Sequence, residues 1–304
     1  MKKIVTSYEE ADLDGVASSY AYNEYLNKIG ENSDYYIYGT PKKEVLIVCD
    51  IFGIKLNGAE EIEENQDVII MDANNIEEFK FVKPENIIEI IDHHKKNPSC
   101  ELCTRAKIHI ETLGAVATIV AEKFRDNNVS ISRESAILLY YAIISNSINL
   151  KAKVTNIRDI EMTKWLEKQC SEISKEKIKT IFEQKSQIED CDLRKEMEAE
   201  VVFDYKDKLM IIAQLEVANI EKFLENKKEK ILKILEEVKI EKQVDHIFIN
   251  CVDILNGFNI ILTIDDQTEE ILNNEFGFEF KNRFCKLDKL MQRKELSKVL
   301  RWKK

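Results

Sequence analysis

The residues best suited to chemistry in this chain are Asp92, His93 and His94, which close the run Ile-Ile-Glu-Ile-Ile-Asp-His-His over residues 87–94. Carboxylate next to imidazole is a donor set for divalent cations. The run ahead of the triplet is apolar and β-branched, which predicts a buried strand and carries the triplet to its C-terminal end. In open parallel sheets that end is where ligands bind. Taken alone, His93 and His94 read equally well as loop histidines at a strand end.

Other carboxylates weigh against the plain reading. Residues 3–8 form a short strand pattern leading to Asp12-Leu13-Asp14-Gly15, after which 16–28 carries helical periodicity. Alternate positions let Asp12 and Asp14 point into one crevice at a strand-to-helix turn, although Asp is also a common helix N-cap. Residues 67–72, Asp-Val-Ile-Ile-Met-Asp, repeat the arrangement, ending on Asp72 before the turn composition Ala-Asn-Asn. Three strands thus end in Asp or Asp-His, and strands alternating with helices predict a parallel sheet whose C-terminal ends converge. Four carboxylates and two imidazoles in one crevice repel unless cations neutralise them. An oxygen-rich set with some imidazole suits manganese or magnesium better than zinc.

The elements that must position these groups extend along the chain. A second strand is expected at 35–39, then a helical segment. Beyond the triplet come a strand at 107–112, a helix opened by Gly114 through 124, a helix N-capped by Ser132 to about 145, and charged helices over 155–185. A charged stretch at 187–198 precedes strands at 200–203 and 208–216, a helix at 220–239, strands at 246–252 and 258–264, and a helical end from 288. The expected fold is α/β: a parallel-sheet domain with flanking helices over 1–187, a linker at 188–197, and a smaller mixed α/β domain over 198–304. The active site is expected in the cleft between the two. Arg293 and Lys294 lie among Lys286, Lys289, Lys298, Arg301, Lys303 and Lys304, whose plainest reading is favourable charge at a helix C-terminus.

Composition narrows the function classes. With 304 residues, 44% hydrophobic and 33% charged, the chain can build two ordinary cores. A net charge of -11 argues against nucleic-acid backbone binding but not against a small anion held locally. No apolar run approaches a membrane span, and a strand pattern follows Met-Lys-Lys without a signal-peptide core, so a cytoplasmic protein is expected. Seven scattered cysteines fit reduced thiols. Cys100 and Cys103 form a Cys-x-x-Cys with no second pair nearby to complete a zinc site.

The motifs Asp12-Leu-Asp14-Gly, Met71-Asp72, Asp92-His93-His94 and Gly114-Ala-Val-Ala-Thr118 together resemble those of the DHH phosphoesterases. Within that superfamily the chain is most similar to the manganese-dependent, family II inorganic pyrophosphatases, whose second domain is of the DHHA2 type. Met291-Gln-Arg-Lys294 resembles the Ser-Arg-Lys-Lys segment near their end. The resemblance implies hydrolysis of pyrophosphate by two divalent ions, manganese with cobalt or magnesium as substitutes, that share an attacking hydroxide. Ions roughly 3.5 to 4 Å apart suit that task. It also implies that Asp12, Asp14, Asp72 and His93 ligate metal with Asp72 bridging, and that His94 contacts substrate or protonates the leaving phosphate. Asp92 would orient an imidazole, Arg293 and Lys294 would clamp phosphate, and Arg194 would add a basic contact. A homodimer is compatible with this reading.

Two positions depart from the family pattern. Tyr8 stands where a histidine ligand is usual, and Asn146 where an aspartate ligand is usual. Each change would weaken one metal's ligand set. Two further readings are a phosphodiesterase acting on short oligonucleotides or cyclic dinucleotides, and a catalytically weakened sensor of a phosphorylated ligand. Against the former, the chain has no Gly-Gly pair, and His246 is its sole C-terminal histidine.

Overall fold

The computed structural model describes residues 2–197 and 201–302. Glu200, expected to open a strand, and Lys303 and Lys304 of the basic cluster lie outside the described residues. The chain divides into two compact units, residues 1–150 with 154–181, and residues 151–153 with 182–304.

In the first unit β1 (Lys3–Thr6), β2 (Ser33–Tyr36), β3 (Val68–Met71), β4 (Ile87–Asp92) and β5 (Lys107–Ile110) form an all-parallel sheet in the order β2-β1-β3-β4-β5. All four residues of β3 are buried, as are Ile90 and Ile91 of β4, as expected of parallel strands covered on both faces. The chain leaves β1 toward β2 and resumes on the other side at β3, so the loops after β1 and β3 diverge and open a crevice. Around the sheet lie α1 (Leu13–Lys28), α2 (Lys43–Phe52), α3 (Val116–Asp126), α4 (Arg133–Asn146) and α5 (Ile157–Gln169). Every residue from Ser135 to Ile144 of α4 is buried, the pattern of a helix surrounded by protein.

One anchor of this unit is Asp159, completely buried in the first turn of α5. It takes part in the capping box with Asn156, and its carboxylate also accepts hydrogen bonds from Gly114 N and Thr118 Oγ1. The start of α5 thereby fixes the loop that opens α3. A Cβ at Gly114 would lie 2.7 Å from Asp159 Oδ2, inside any allowed contact.

The remaining elements are α6 (Lys175–Lys185), α7 (Leu193–Met197), β6 (Val201–Tyr205), β7 (Lys208–Val217), α8 (Ile220–Glu241), β8 (His246–Asp253), β9 (Asn259–Thr263), α9 (Asp266–Phe276), β10 (Phe284–Leu287) and α10 (Arg293–Trp302). The second sheet runs β10-β9-β8-β7-β6, and of its pairs only β7–β8 is parallel. One face packs Ile211, Leu215 and Ile249 against Leu193 of α7 and Ile231 and Leu235 of α8. The other packs Ile212, Phe248 and Ile261 against Leu272 of α9 and Leu296 and Leu300 of α10. Among the described residues no helix is long and apolar enough to cross a membrane.

The α/β fold class expected from sequence is the one observed, with a few elements displaced. The second strand lies at 33–36 rather than 35–39, with Gly39 beyond its end at φ +74°. The charged stretch over 187–198 is not all linker, since Leu193 and Met197 are buried in the second unit's core. Sequence reading missed α9, although Asp265 caps it by accepting from Thr268 N, and the four-residue β10. The last helix starts at Arg293 rather than 288.

Gly114→Ala should lower stability by about 2–3 kcal/mol, because Asp159 is held by several hydrogen bonds and cannot retreat. Urea denaturation checks this, and a loss below about 0.5 kcal/mol would show that the loop relaxes freely.

Candidate metal centre

The acidic ends of β1, β3 and β4 meet at the crevice. Asp12 is the N-cap of α1, its Oδ1 accepting from Asp14 N and Gly15 N at 3.0 and 3.3 Å. Asp14, in the first turn, is buried and accepts from Ala117 N and Val116 N, each at 2.8 Å. Its charge thus sits on the amino end of α3, where exposed N–H groups favour an anion. Burial nevertheless pushes its pKa up to about 6, against the pull of His93 and the helix amides.

Asp72 follows β3 in the left-handed region, φ +58°, which Asp tolerates better than most residues. Its buried Oδ1 has no hydrogen-bond partner among the described residues; it is ion-paired with His93 Nε2 at 3.4 Å and lies 3.7 Å from His94 Nδ1. Burial first, then the charge of Asp14, raises its pKa well above the usual carboxylate range.

Asp92 and the histidines are held by a separate set of bonds. Asp92 Oδ1 accepts from His93 N, His94 N and His94 Nδ1, at 2.7, 3.1 and 2.8 Å, and its Oδ2 accepts from Asn74 Nδ2. Burial alone would raise Asp92, but His94 and Asn74 hold it below the ordinary value. His93 Nδ1 lies 2.8 Å from Leu113 O, and a carbonyl only accepts, so Nδ1 carries a proton and Nε2 faces Asp72 and Asp14. Burial would lower the His93 pKa, but Asp72 and Asp14 outweigh it and raise it to about 10. A proton on Nε2 thus serves as counter-charge to the two carboxylates.

One ligand atom from each of Asp72, Asp92, His93 and His94 lies within 4.8 Å of the others. Asp72, Asp92 and His94 border a cavity of about 330 Å³ that is also lined by Tyr8, Asp12, Lys95 and Asn146. The orphaned Asp72 Oδ1 and the crowded buried carboxylates fit a divalent cation, which would replace the His93 proton.

The two departing residues are both in this crevice. Tyr8 accepts the Asp12 N–H at its hydroxyl oxygen, 3.2 Å away, and burial with Asp12 and Asp72 nearby drives its pKa far above the ordinary value, so the phenol is neutral. Asn146 donates its amide to Asp14 Oδ2 at 3.0 Å and lies 3.4 Å from His93 Nε2. An N–H stands there on the face of Asp14 that a cation could otherwise share.

Of the residues expected to act, the first unit gathers Asp72, Asp92, His93 and His94 into one ligand group, while the expected ligands Asp12 and Asp14 lie outside it, Asp14 at 4.0 Å from His93 Nε2 and Asp12 on the cavity wall with Tyr8 and Asn146. Asp92 grips the imidazole of His94, while the expected ligand His93 is oriented by Leu113 O. In the second unit Arg194 is ion-paired with Glu241 and Glu237 on α8. Arg293 and Lys294 open α10, which corrects the reading of helix C-terminal charge. The Arg293 Nε and Nη1 are buried with no hydrogen-bond partner among the described residues, and Lys294 is exposed. Sequence reading missed Leu113 O, which has no side-chain signature, and Asn74, whose place two residues after Asp72 was the available sign.

Residues 2–143 match the family model described as DHH family, N-terminal domain. A curated relative from Streptococcus thermophilus, a probable manganese-dependent inorganic pyrophosphatase, is 26% identical over 97% of this chain and 96% of its own. The manganese-dependent inorganic pyrophosphatase of Bacillus subtilis is 24% identical over the same shares. A Methanococcus jannaschii structure titled putative family II inorganic pyrophosphatase shares the fold, with TM-score 0.69, 23% identity and 98% of each chain covered.

Asp72→Asn, which keeps a residue that tolerates positive φ, should raise the metal-free melting temperature by about 2–4 °C and abolish stabilisation by manganese. Differential scanning calorimetry with and without the ion checks both, and a variant still stabilised by manganese would remove Asp72 from the site.

The linkage has a definite sign. His93 and Asp14 both have raised folded pKa values, so their stabilising contributions are complete below about 6.5 and about 3.8 and are lost as pH rises through about 10 and about 6. Metal-free stability should therefore fall between pH 5 and pH 9. Manganese binding at pH 8 should release about one proton, measured by calorimetry in buffers of different ionisation enthalpy. Absence of proton release would contradict a charged His93.

Proposed function

We propose that the chain is a manganese-dependent phosphohydrolase that splits inorganic pyrophosphate into two phosphates. The observation that carries the reading is the full-length relation to curated manganese-dependent inorganic pyrophosphatases, 97% of this chain against 96% of the relative. The Asp72, Asp92, His93 and His94 cluster supports it. Asp12, Asp14, Asp72 and His93 would hold manganese, with cobalt or magnesium as substitutes. Once bound, the ion supplies Lewis-acid neutralisation of phosphate charge and acidifies water.

The chain's own residues have distinct tasks in this reading. Asp92 holds His94 at Nδ1, which leaves Nε2 for a phosphate oxygen and lets His94 pass a proton to the departing phosphate. Asp72 and Asp14 set the negative field that draws the cation. Arg293 and Lys294 would bind phosphate. Cations at a helix amino end oppose the helix dipole, so their position at the start of α10 is accounted for by an anionic ligand. The buried Nε and Nη1 of Arg293, without a hydrogen-bond partner among the described residues, support the same role. Residues 198–304 would act as a DHHA2-like phosphate-clamping domain, with Arg194 a weaker participant because Glu241 and Glu237 already engage it. The protein would work in the cytoplasm, with a homodimer as the assembly to test by light scattering.

A second reading, a sensor that binds a phosphorylated ligand without turnover, is favoured by the Asn146–Asp14 hydrogen bond. Phosphate release from pyrophosphate with added manganese, cobalt or magnesium separates the two. Turnover supports the hydrolase, whereas metal and ligand binding without turnover supports the sensor. Lys294→Ala should raise KM for pyrophosphate by about tenfold and leave the manganese affinity unchanged. Unaltered kinetics in this variant would take Lys294 out of the site.

A further inference from the structure

Three amide side chains lie across three adjacent strands of the second sheet, Gln214 on β7, Asn250 on β8 and Asn259 on β9. Asn250 and Asn259 are fully buried, on strands whose every residue is buried, and Gln214 pairs directly with Asn250 in the β7–β8 register. They share the face that packs Ile212, Phe248 and Ile261 under α10. An apolar core gains nothing from such amides unless each is satisfied, because an unmade buried hydrogen bond costs about 1–3 kcal/mol.

All three are satisfied, and their backbone partners lie in one short segment. Asn259 Oδ1 accepts from Met291 N at 2.9 Å, and Gln214 Oε1 accepts from Arg293 N at 2.8 Å. Backbone N–H groups only donate, so Asn259 and Gln214 must each present their carbonyl oxygens there. Asn259 Nδ2 then donates to Asn250 Oδ1 and Met291 O. Asn250 Nδ2 completes the row by donating to Gln214 Oε1 at 3.1 Å and Met291 O at 2.9 Å. The remaining Gln214 Nε2 donates to Glu216 Oε1. Two backbone donors thus fix the orientation of three amides, and the amides fix the backbone on both sides of Gln292.

We propose that Gln214, Asn250 and Asn259 are positioning residues that latch the backbone of Met291 and Arg293, so that the Arg293–Lys294 pair at the start of α10 is presented in one geometry to a diphosphate. The proposal rests on the reading of Arg293 and Lys294 as the phosphate contact. A preset backbone spares the ligand the ordering of a loop, so the latch acts on binding rather than on the metal-bearing cluster.

The test uses the full chain with manganese and three forms: wild type, Gln214→Met, which keeps the volume but removes the acceptor, and Gln214→Glu combined with Glu216→Gln, which keeps an acceptor for the Arg293 N–H and exchanges donor and acceptor in the 214–216 hydrogen bond. Gln214 is only half-buried, so both variants should fold, which melting curves would verify. Gln214→Met should raise KM for pyrophosphate by about tenfold, the size of one lost hydrogen bond, with kcat within about threefold and manganese affinity unchanged. Affinity for imidodiphosphate, by calorimetry, should fall in parallel, and the Gln214→Glu, Glu216→Gln variant should recover most of both losses. Wild-type KM and imidodiphosphate affinity in Gln214→Met would overturn the latch. So would equal losses in Gln214→Met and in the Gln214→Glu, Glu216→Gln variant, or a loss of manganese binding that tracks KM. If wild type binds imidodiphosphate without turning pyrophosphate over, hydrolysis falls and the binding comparison still decides the latch. Wild type that does neither overturns both.

Discussion

The constraint that organises the first unit is the repulsion among carboxylates that a parallel sheet gathers at one edge. β1, β3 and β4 are neighbours and all point the same way, so the acids that follow them cannot avoid one another. Asp14 is eased by the amino end of α3, Asp92 by the amides and imidazole around it, and Asp72 by little beyond the proton on His93. The strength of the cation demand is therefore uneven, and it is greatest at Asp72. A fold that buries a carboxylate with an orphaned oxygen gives up stability which a bound cation can return.

The anchors around the crevice follow from that demand. His93 is useful only with Nε2 turned inward, which a backbone carbonyl at Leu113 secures. Leu113 precedes Gly114, and Gly114 is held by Asp159 at the start of α5. Tertiary hydrogen bonds some distance from the metal-binding groups thereby set which nitrogen faces the acids, so a defect at Gly114 would disturb chemistry as well as stability.

Much of this was legible in the sequence. Apolar runs ending in Asp72 and in Asp92-His93-His94 marked strands and their functional ends together, because a parallel strand buried on both faces has a plain signature. The second unit was harder to read. β10 has four residues, and the charged stretch before Glu200 conceals Leu193 and Met197, two buried residues too few to show a period. Contacts made by backbone atoms left no sign at all. Neither the Leu113 carbonyl nor the amides of Val116 and Ala117 under Asp14 can be inferred from residue type.

Tyr8 and Asn146 show where residue type and geometry must be read together. By type, both are weaker ligands than histidine or aspartate. By geometry, each already has a task within the metal-free crevice, Tyr8 accepting the Asp12 N–H and Asn146 donating to Asp14. An aspartate at 146 would lack that donor and set another carboxylate against Asp14, which is tolerable only with a cation between them. Asn146→Asp should therefore lower the metal-free melting temperature and enlarge the stabilisation by manganese, both read from the same calorimetric scans. If the variant is destabilised and manganese restores no more than it does in wild type, the amide at 146 is a structural cap and the crevice is built for the cation held near Asp72 alone.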